Sequence, residues 1–122
     1  MTMIDRNKGL KYSFEQRDGY VVVHLVGDLN MFSAPELRTQ LVAKLDSGVL
    51  KFIINLTELT FVDSSGIGIL VSFVSLTKKK TDSKVILCGL NQQIRNIFEV
   101  TRLISVFNVL DTIEDASAQL KH

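Results

Sequence analysis

Short extended apolar runs alternate along this chain with longer stretches whose apolar residues recur at helical spacing. Two extended segments open it, Leu10 to Arg17 and Tyr20 to Val26. The intervening Asp18-Gly19 is a two-residue hairpin signal, so the pair is predicted to be antiparallel. In "DLNMFSAPELRTQLVAKLDSG", Ser33 and Glu36 have the S-x-x-E spacing of a capping box, with Phe32 and Leu37 at the staple positions on either side. A first helix is therefore expected from near Ser33. Leu37, Leu41, Val42 and Leu45 form its apolar face, Arg38, Gln40 and Lys44 fall away from the centre of that face, and Gly48 is its stop.

"LKFIINL", Leu50 to Leu56, is nearly continuous in apolar character, as a central strand covered on both faces should be. A second helix is expected from Ser64 to about Lys79, followed by a strand, "KVILCG", from Lys84. Asn91 caps a third helix carrying Ile94, Ile97 and Phe98 on one side. "ISVFNVL" is the last strand, and Asp111 with Glu114 opens a short helix to about Leu120. Alternating strands and helices predict a single small α/β domain over residues 1–122. Its sheet is mixed and mostly parallel, with an N-terminal β-hairpin and about four helices. The only proline, Pro35, sits in a first helical turn, where its missing N–H costs little.

With 122 residues and 46% hydrophobic content, the chain can bury one sizeable core, and a second domain is not expected. A formal net charge of +1 gives no electrostatic footprint for nucleic acid or an anionic membrane. The lone Cys88 has no internal partner for a disulfide and lies in an apolar run, as suits a buried strand thiol in a reducing compartment. "MTMIDRNKGLKYS" has no apolar h-region, and the longest hydrophobic stretch, Ile67 to Leu76, is broken by Gly68, Ser72 and Ser75. Neither a signal peptide nor a membrane insertion is expected, and the expected location is the cytoplasm.

The stretch with candidate chemistry is "LTFVDSSGIGILVSF", from Leu59. Asp63-Ser64-Ser65-Gly66 lies where a central strand's carboxyl end meets a helix N-terminus, a place where α/β sheets present functional groups. Asp63 or Ser64 can cap the helix, whose dipole favours an anion there. Gly66 and Gly68 would permit close approach of another backbone or side chain. The plain alternative is a capped helix packed through its glycines. Ile67, Leu70, Val71 and Val74 form a stripe that Ile69, Phe73 and Leu76 widen to roughly 220° at about 100° per residue. Neighbouring helices or a partner protein must cover that flank.

Enzymatic readings find little support. Val62-Asp63-Ser64-Ser65-Gly66 is not a G-x-S-x-G elbow. His24 lies inside the second strand with no orienting acid suggested by spacing, and His122 is terminal. No Walker A sequence is present, and Gly66-Ile67-Gly68 alone is a very weak nucleotide signal. One cysteine and two separated histidines make no recognisable metal set, so neither metal nor cofactor is expected. Lys78-Lys79-Lys80, at a helix C-terminus, is explained by dipole and solubility effects.

"FVDSSGIGIL", Phe61 to Leu70, closely resembles the signature of STAS domains, and within them of the bacterial anti-sigma factor antagonists. "LVGDLNMFSAPELRTQL" and "INLTELTFVDSSG" extend the resemblance, and the element order agrees over nearly the whole chain. The resemblance implies a phospho-switch and no enzymatic activity. In such proteins the unphosphorylated antagonist binds an anti-sigma factor that is also a serine kinase. That kinase uses its own ATP to phosphorylate the serine after the aspartate, here Ser64, and a PPM/PP2C-type phosphatase restores it. Ser65 matches the second hydroxyl position. Asp63, Gly66, Gly68, Ile69 and Phe73 are the expected phosphosite environment and partner surface, together with Asp28 and Asn30 of the preceding loop. Relatives are often acidic at the position of Asn30. The alternative is a STAS subunit of a larger assembly, such as a lipid-transport ABC complex or a stress-sensing complex, docking or sensing a nucleotide.

Overall fold

A computed structural model describes residues 4–5 and 9–121 of the chain. The elements are strands β1 (Ile4–Asp5), β2 (Leu10–Arg17) and β3 (Tyr20–Leu29), helix α1 (Ala34–Asp46), β4 (Lys51–Val62), α2 (Ser64–Thr77), β5 (Lys84–Cys88), α3 (Gln92–Val100), a 3-10 turn (Leu103–Ser105), β6 (Asn108–Leu110) and α4 (Ile113–Leu120). They build one mixed sheet whose spatial order follows the chain, β1-β2-β3-β4-β5-β6. The first three strands are antiparallel neighbours, and β3 to β6 run parallel.

Right-handed crossovers that always step the same way across a sheet put every connecting helix on one face. Residues of α1, α2 and α3 accordingly share one core with Val21, Val23, Phe52, Ile54 and Leu87. The opposite face is left to α4, whose Ala116 and Leu120 cluster with Val22, Ile53, Ile86 and Cys88. Strands covered on both faces are apolar throughout, which explains the unbroken runs in β3 and β4. Cys88 is fully buried, and burial pushes its thiol up to about 11.

The hairpin, α3 with its Asn91 cap and the stop at Gly48 (φ +107°) lie where the sequence placed them. Several boundaries differ. Strand β4 runs on to Val62 because its second half continues pairing with Gly27–Leu29 of β3, through two register shifts. The final strand is only three residues long, because Arg102 (φ 61°) ends α3 and the chain turns once as a 3-10 helix before pairing. Thr112, rather than Asp111, caps α4 by accepting from the Asp115 N–H.

The capping box at Ser33 does not form. Asn30 Oδ1 accepts from the N–H groups of Phe32 and Ser33 at 2.9 and 3.1 Å, while the Ser33 hydroxyl donates to the Asp28 carbonyl. The staple fails with it, since Leu37 is buried and Phe32 is 67% exposed.

The wide apolar flank of α2 is covered from within. Leu70, Phe73 and Val74 are buried, and Ile67, Ile69, Val71 and Leu76 pack half-buried against the same core. Phe73 is 0% exposed and meets the Phe52 ring edge-on, with centroids 5.1 Å apart. This corrects its assignment to a partner surface, since a ring held between sheet and helix has no face left to offer. Phe73→Ala should therefore cost about 3–5 kcal/mol in a denaturant melt. A loss below about 1 kcal/mol would show that the ring is not core.

Candidate functional site

The site is built where β4 ends and α2 begins. The first N–H groups of a helix lack intrahelical acceptors, and Asp63, extended at φ −102° and ψ −175°, supplies one as N-cap. Its Oδ1 accepts from the Gly66 N–H at 2.9 Å. Its Oδ2 accepts from the Met31 N–H at 3.0 Å, thirty-two residues earlier in the β3–α1 loop. One carboxylate thus fixes the start of α2 and ties it to a second loop, and the Asp63 N–H bonds the Leu29 carbonyl at 3.1 Å to close the junction. With both oxygens donor-bound in fixed geometry, Asp63 is a structural group first.

The helix entry is tight on one side. A Cβ at Gly66 would lie 2.6 Å from the Leu29 carbonyl oxygen and 2.7 Å from Val62 Cγ2. Gly68 differs from the expectation, because nothing stands within 4 Å of the Cβ it lacks and the position faces solvent. Ser65 is half-buried. Ser64 is exposed, and its hydroxyl makes no hydrogen bond among the described residues. Asp28 Oδ1 accepts from the Thr60 hydroxyl at 2.9 Å, which braces the β3–α1 loop against β4. Asn30 holds that same loop from within and is half-buried.

Exposed residues that the sequence did not single out surround this junction. Met31 and Phe32 are 59% and 67% exposed on the loop tied to Asp63, and Phe61 is 43% exposed two residues before it. The signal was present as two large apolar side chains between a strand end and a helix start, but the staple pattern assigned Phe32 to the interior.

Ser64 lines none of three hollows formed by the described residues, which lie elsewhere. A sheet whose order follows the chain has no reversal point, the place where open α/β sheets form a binding crevice. Exposed Met31, Phe32 and Phe61 around the junction suit a protein partner.

His24 does acquire an acid, contrary to the expectation from spacing, because the hairpin brings Glu15 alongside it. Its Nε2 lies 2.8 Å from Glu15 Oε1, and its Nδ1 lies 3.0 Å from Asn55 Nδ2. Thr57 donates its N–H to Asn55 Oδ1, so the amide nitrogen of Asn55 faces the ring and His24 is the neutral Nε2–H tautomer. The Arg17 guanidinium, then His24, hold the Glu15 carboxyl below its ordinary range. Both ring nitrogens are thus engaged on the sheet face opposite α2, leaving none to activate Ser64. Among the described residues no His, Cys, Asp and Glu side chains converge as a metal set, and no helix is long and apolar enough to cross a membrane.

The family model of the STAS domain matches residues 11–116. The chain belongs to the STAS domain family. BtrV of Bordetella bronchiseptica is 28% identical over 112 residues, covering 92% of this chain and 96% of its own. The anti-sigma-B factor antagonist of Listeria monocytogenes is 27% identical over 103 residues, covering 82% of this STAS chain and 88% of its own. The Bacillus cell fate determinant SpoIIAA in its phosphorylated form shares the fold with a TM-score of 0.70 at 21% identity, over 91% of this chain and 99% of that one.

Gly66→Ala should destabilise the STAS domain by about 1–3 kcal/mol, because backbone must move to admit the methyl group. Gly68→Ala should stabilise it by about 0.5–1 kcal/mol by removing helix-interior glycine entropy. Equal effects of the two in thermal melts would contradict the packing described.

Proposed function

We propose that this STAS domain is a phosphorylation-controlled anti-sigma factor antagonist. Unphosphorylated, it binds an anti-sigma factor that is also a serine kinase, and phosphorylation at Ser64 releases it. The observation that carries this reading is the state of Ser64, whose exposed hydroxyl makes no hydrogen bond among the described residues, beside a carboxylate committed to two N–H groups. The names of the relatives support the antagonist assignment, and SpoIIAA offers a relative with a phosphorylated form.

The chemistry needs nothing further from this chain. The Ser64 oxygen attacks the γ-phosphorus of kinase-bound ATP, the β–γ bridging bond breaks, ADP leaves, and the hydroxyl proton passes to a base on the kinase. The product carries about −1.5 to −2 charge at a helix N-terminus, where the dipole tolerates an anion. The fold therefore survives.

A partner seated on Met31, Phe32 and Phe61 would instead meet new bulk and a second negative group next to Asp63. Losing about 2.7 kcal/mol there weakens binding roughly a hundredfold. A PPM/PP2C-type phosphatase hydrolyses the ester and resets the switch. In this reading the protein is a cytoplasmic regulator with no turnover of its own, and Asp28 and Asn30 shape the docking loop from inside. Gly68 and Ile69 flank the partner's footprint, and Ser65 is the neighbouring hydroxyl rather than the acceptor.

Affinity capture from the source cell, with wild-type, Ser64→Ala and Ser64→Asp baits and phosphosite mapping, tests the switch. A kinase-like partner held by wild type and Ser64→Ala, released by Ser64→Asp, with phosphate mapped to Ser64, is the expected result. Equal capture of a transporter or scaffold by all three baits, with Ser64 unmodified, would replace the switch with constitutive docking in a larger assembly.

A further inference from the structure

The end of the sheet opposite Ser64 carries a feature that the phospho-switch does not use. Strands β4 and β5 begin there with Lys51 and Lys84, which are direct register partners. Helices α2 and α4 both end there, bringing in Lys78-Lys79-Lys80 and Lys121. The Ser83 hydroxyl donates to the Thr77 carbonyl and the Lys84 N–H to the Leu50 carbonyl, so the turn carrying these lysines is pinned to the sheet.

Three shallow hollows meet at this end. One, of about 320 Å³, is lined by Lys51, Asp82, Ser83, Lys84 and Leu120. A second, of about 430 Å³, shares Lys51 and Asp82 and extends to Gly19, Tyr20 and Gly48. A third, of about 400 Å³, shares Tyr20 and runs along α4 between Arg17, Glu114 and Lys121. The shared residues make the three hollows neighbours, here called the trough. Lys51, Lys84 and Lys121 form no ion pair among the described residues, whereas Arg17 is bonded to Glu15 at 2.7 Å.

We propose that this trough binds an extended, carboxylate-rich polypeptide segment of a second partner, at the opposite end from Ser64. Lys51, Lys84 and Lys121 line these neighbouring hollows, and the space over Gly19 and Gly48 is open, with no atom within 4 Å of where a side chain would begin. An extended backbone fits such a path, whereas a bilayer surface does not reach into it, and the exposed large apolar side chains lie outside its lining. Lysines are point charges suited to single carboxylates. The one aromatic residue in the trough, Tyr20, commits its hydroxyl to Ser117 at 2.8 Å, leaving no stacking platform of the kind that single-stranded nucleic acid uses. Asp82, shared by two of the hollows, and Glu114, in the third, interrupt the positive path and would space the incoming carboxylates.

The test is fluorescence anisotropy of a labelled oligo-glutamate peptide with the intact protein. Wild type and Ser64→Asp should bind it equally and saturably at low salt, and more weakly as ionic strength rises past about 0.15 M. The double variant Lys51→Glu, Lys84→Glu should bind at least about tenfold more weakly, the scale of one lost charge-assisted contact. The neutral pair Lys51→Gln, Lys84→Gln gives the same readout if charge reversal impairs folding. Failure of wild type to bind, wild-type affinity in the folded double variant, or tighter binding to phosphatidylserine vesicles or duplex DNA than to the peptide would overturn the proposal. None of these outcomes bears on Ser64, so the trough and the switch stand or fall separately.

Discussion

The Asp63 carboxylate is the constraint on which the functional end of this STAS domain depends. It sits at the only point where the end of β4, the first turn of α2 and the β3–α1 loop meet, and it holds the last two by one oxygen each. A neutral cap such as serine would satisfy one helix N–H, while this arrangement needs two acceptor atoms diverging from one carbon. The glycine three residues on belongs to the same solution, because a side chain there would push the helix away from Leu29 and Val62. Ser64 is left as the first helical residue, its hydroxyl without a hydrogen-bond partner among the described residues.

In the proposed switch, that division of labour lets a charge be added without refolding. The bonds that secure the junction run through Asp63, and the proposed phosphate acceptor is its neighbour. The interior side of α2 carries Phe73 against Phe52, while its N-terminal rim meets solvent. Large exposed apolar side chains stand on the two segments that flank the helix start, Met31 and Phe32 on one and Phe61 on the other. The loop that carries Met31 and Phe32 is the one Asp63 restrains, so the proposed docking surface and the proposed phosphosite share one mechanical support.

Much of this was legible in the chain. Apolar period located the four α-helices, the Asn91 cap fixed the start of one, and the Asp-Gly turn located the hairpin turn. What escaped was long-range. The second half of β4 lay beyond the strand expected over Leu50 to Leu56, because Thr57 and Glu58 break the apolar run while pairing with Gly27–Leu29 carries the strand on to Val62. Strand β1 is two residues held solely by partnership with β2. The Ser33 pattern was outcompeted by Asn30, whose amide oxygen reaches two N–H groups at once. The helical wheel of α2 showed how much apolar surface needed cover, though not that the domain supplies it. The large exposed apolar side chains are instead Met31, which no pattern had singled out, and Phe32, which the staple pattern had assigned to packing. The acid beside His24 arises from hairpin register, which residue spacing does not display.

Residue-resolved amide hydrogen exchange in wild type and Asp63→Ala tests the central claim directly. The account predicts that the Met31 and Gly66 amides are protected in wild type and lose protection together in the variant, while the amides of β3 and β5 keep theirs. Protection of either amide surviving in Asp63→Ala, or loss spreading through the sheet, would contradict the view that one carboxylate holds both elements and that the core stands without it.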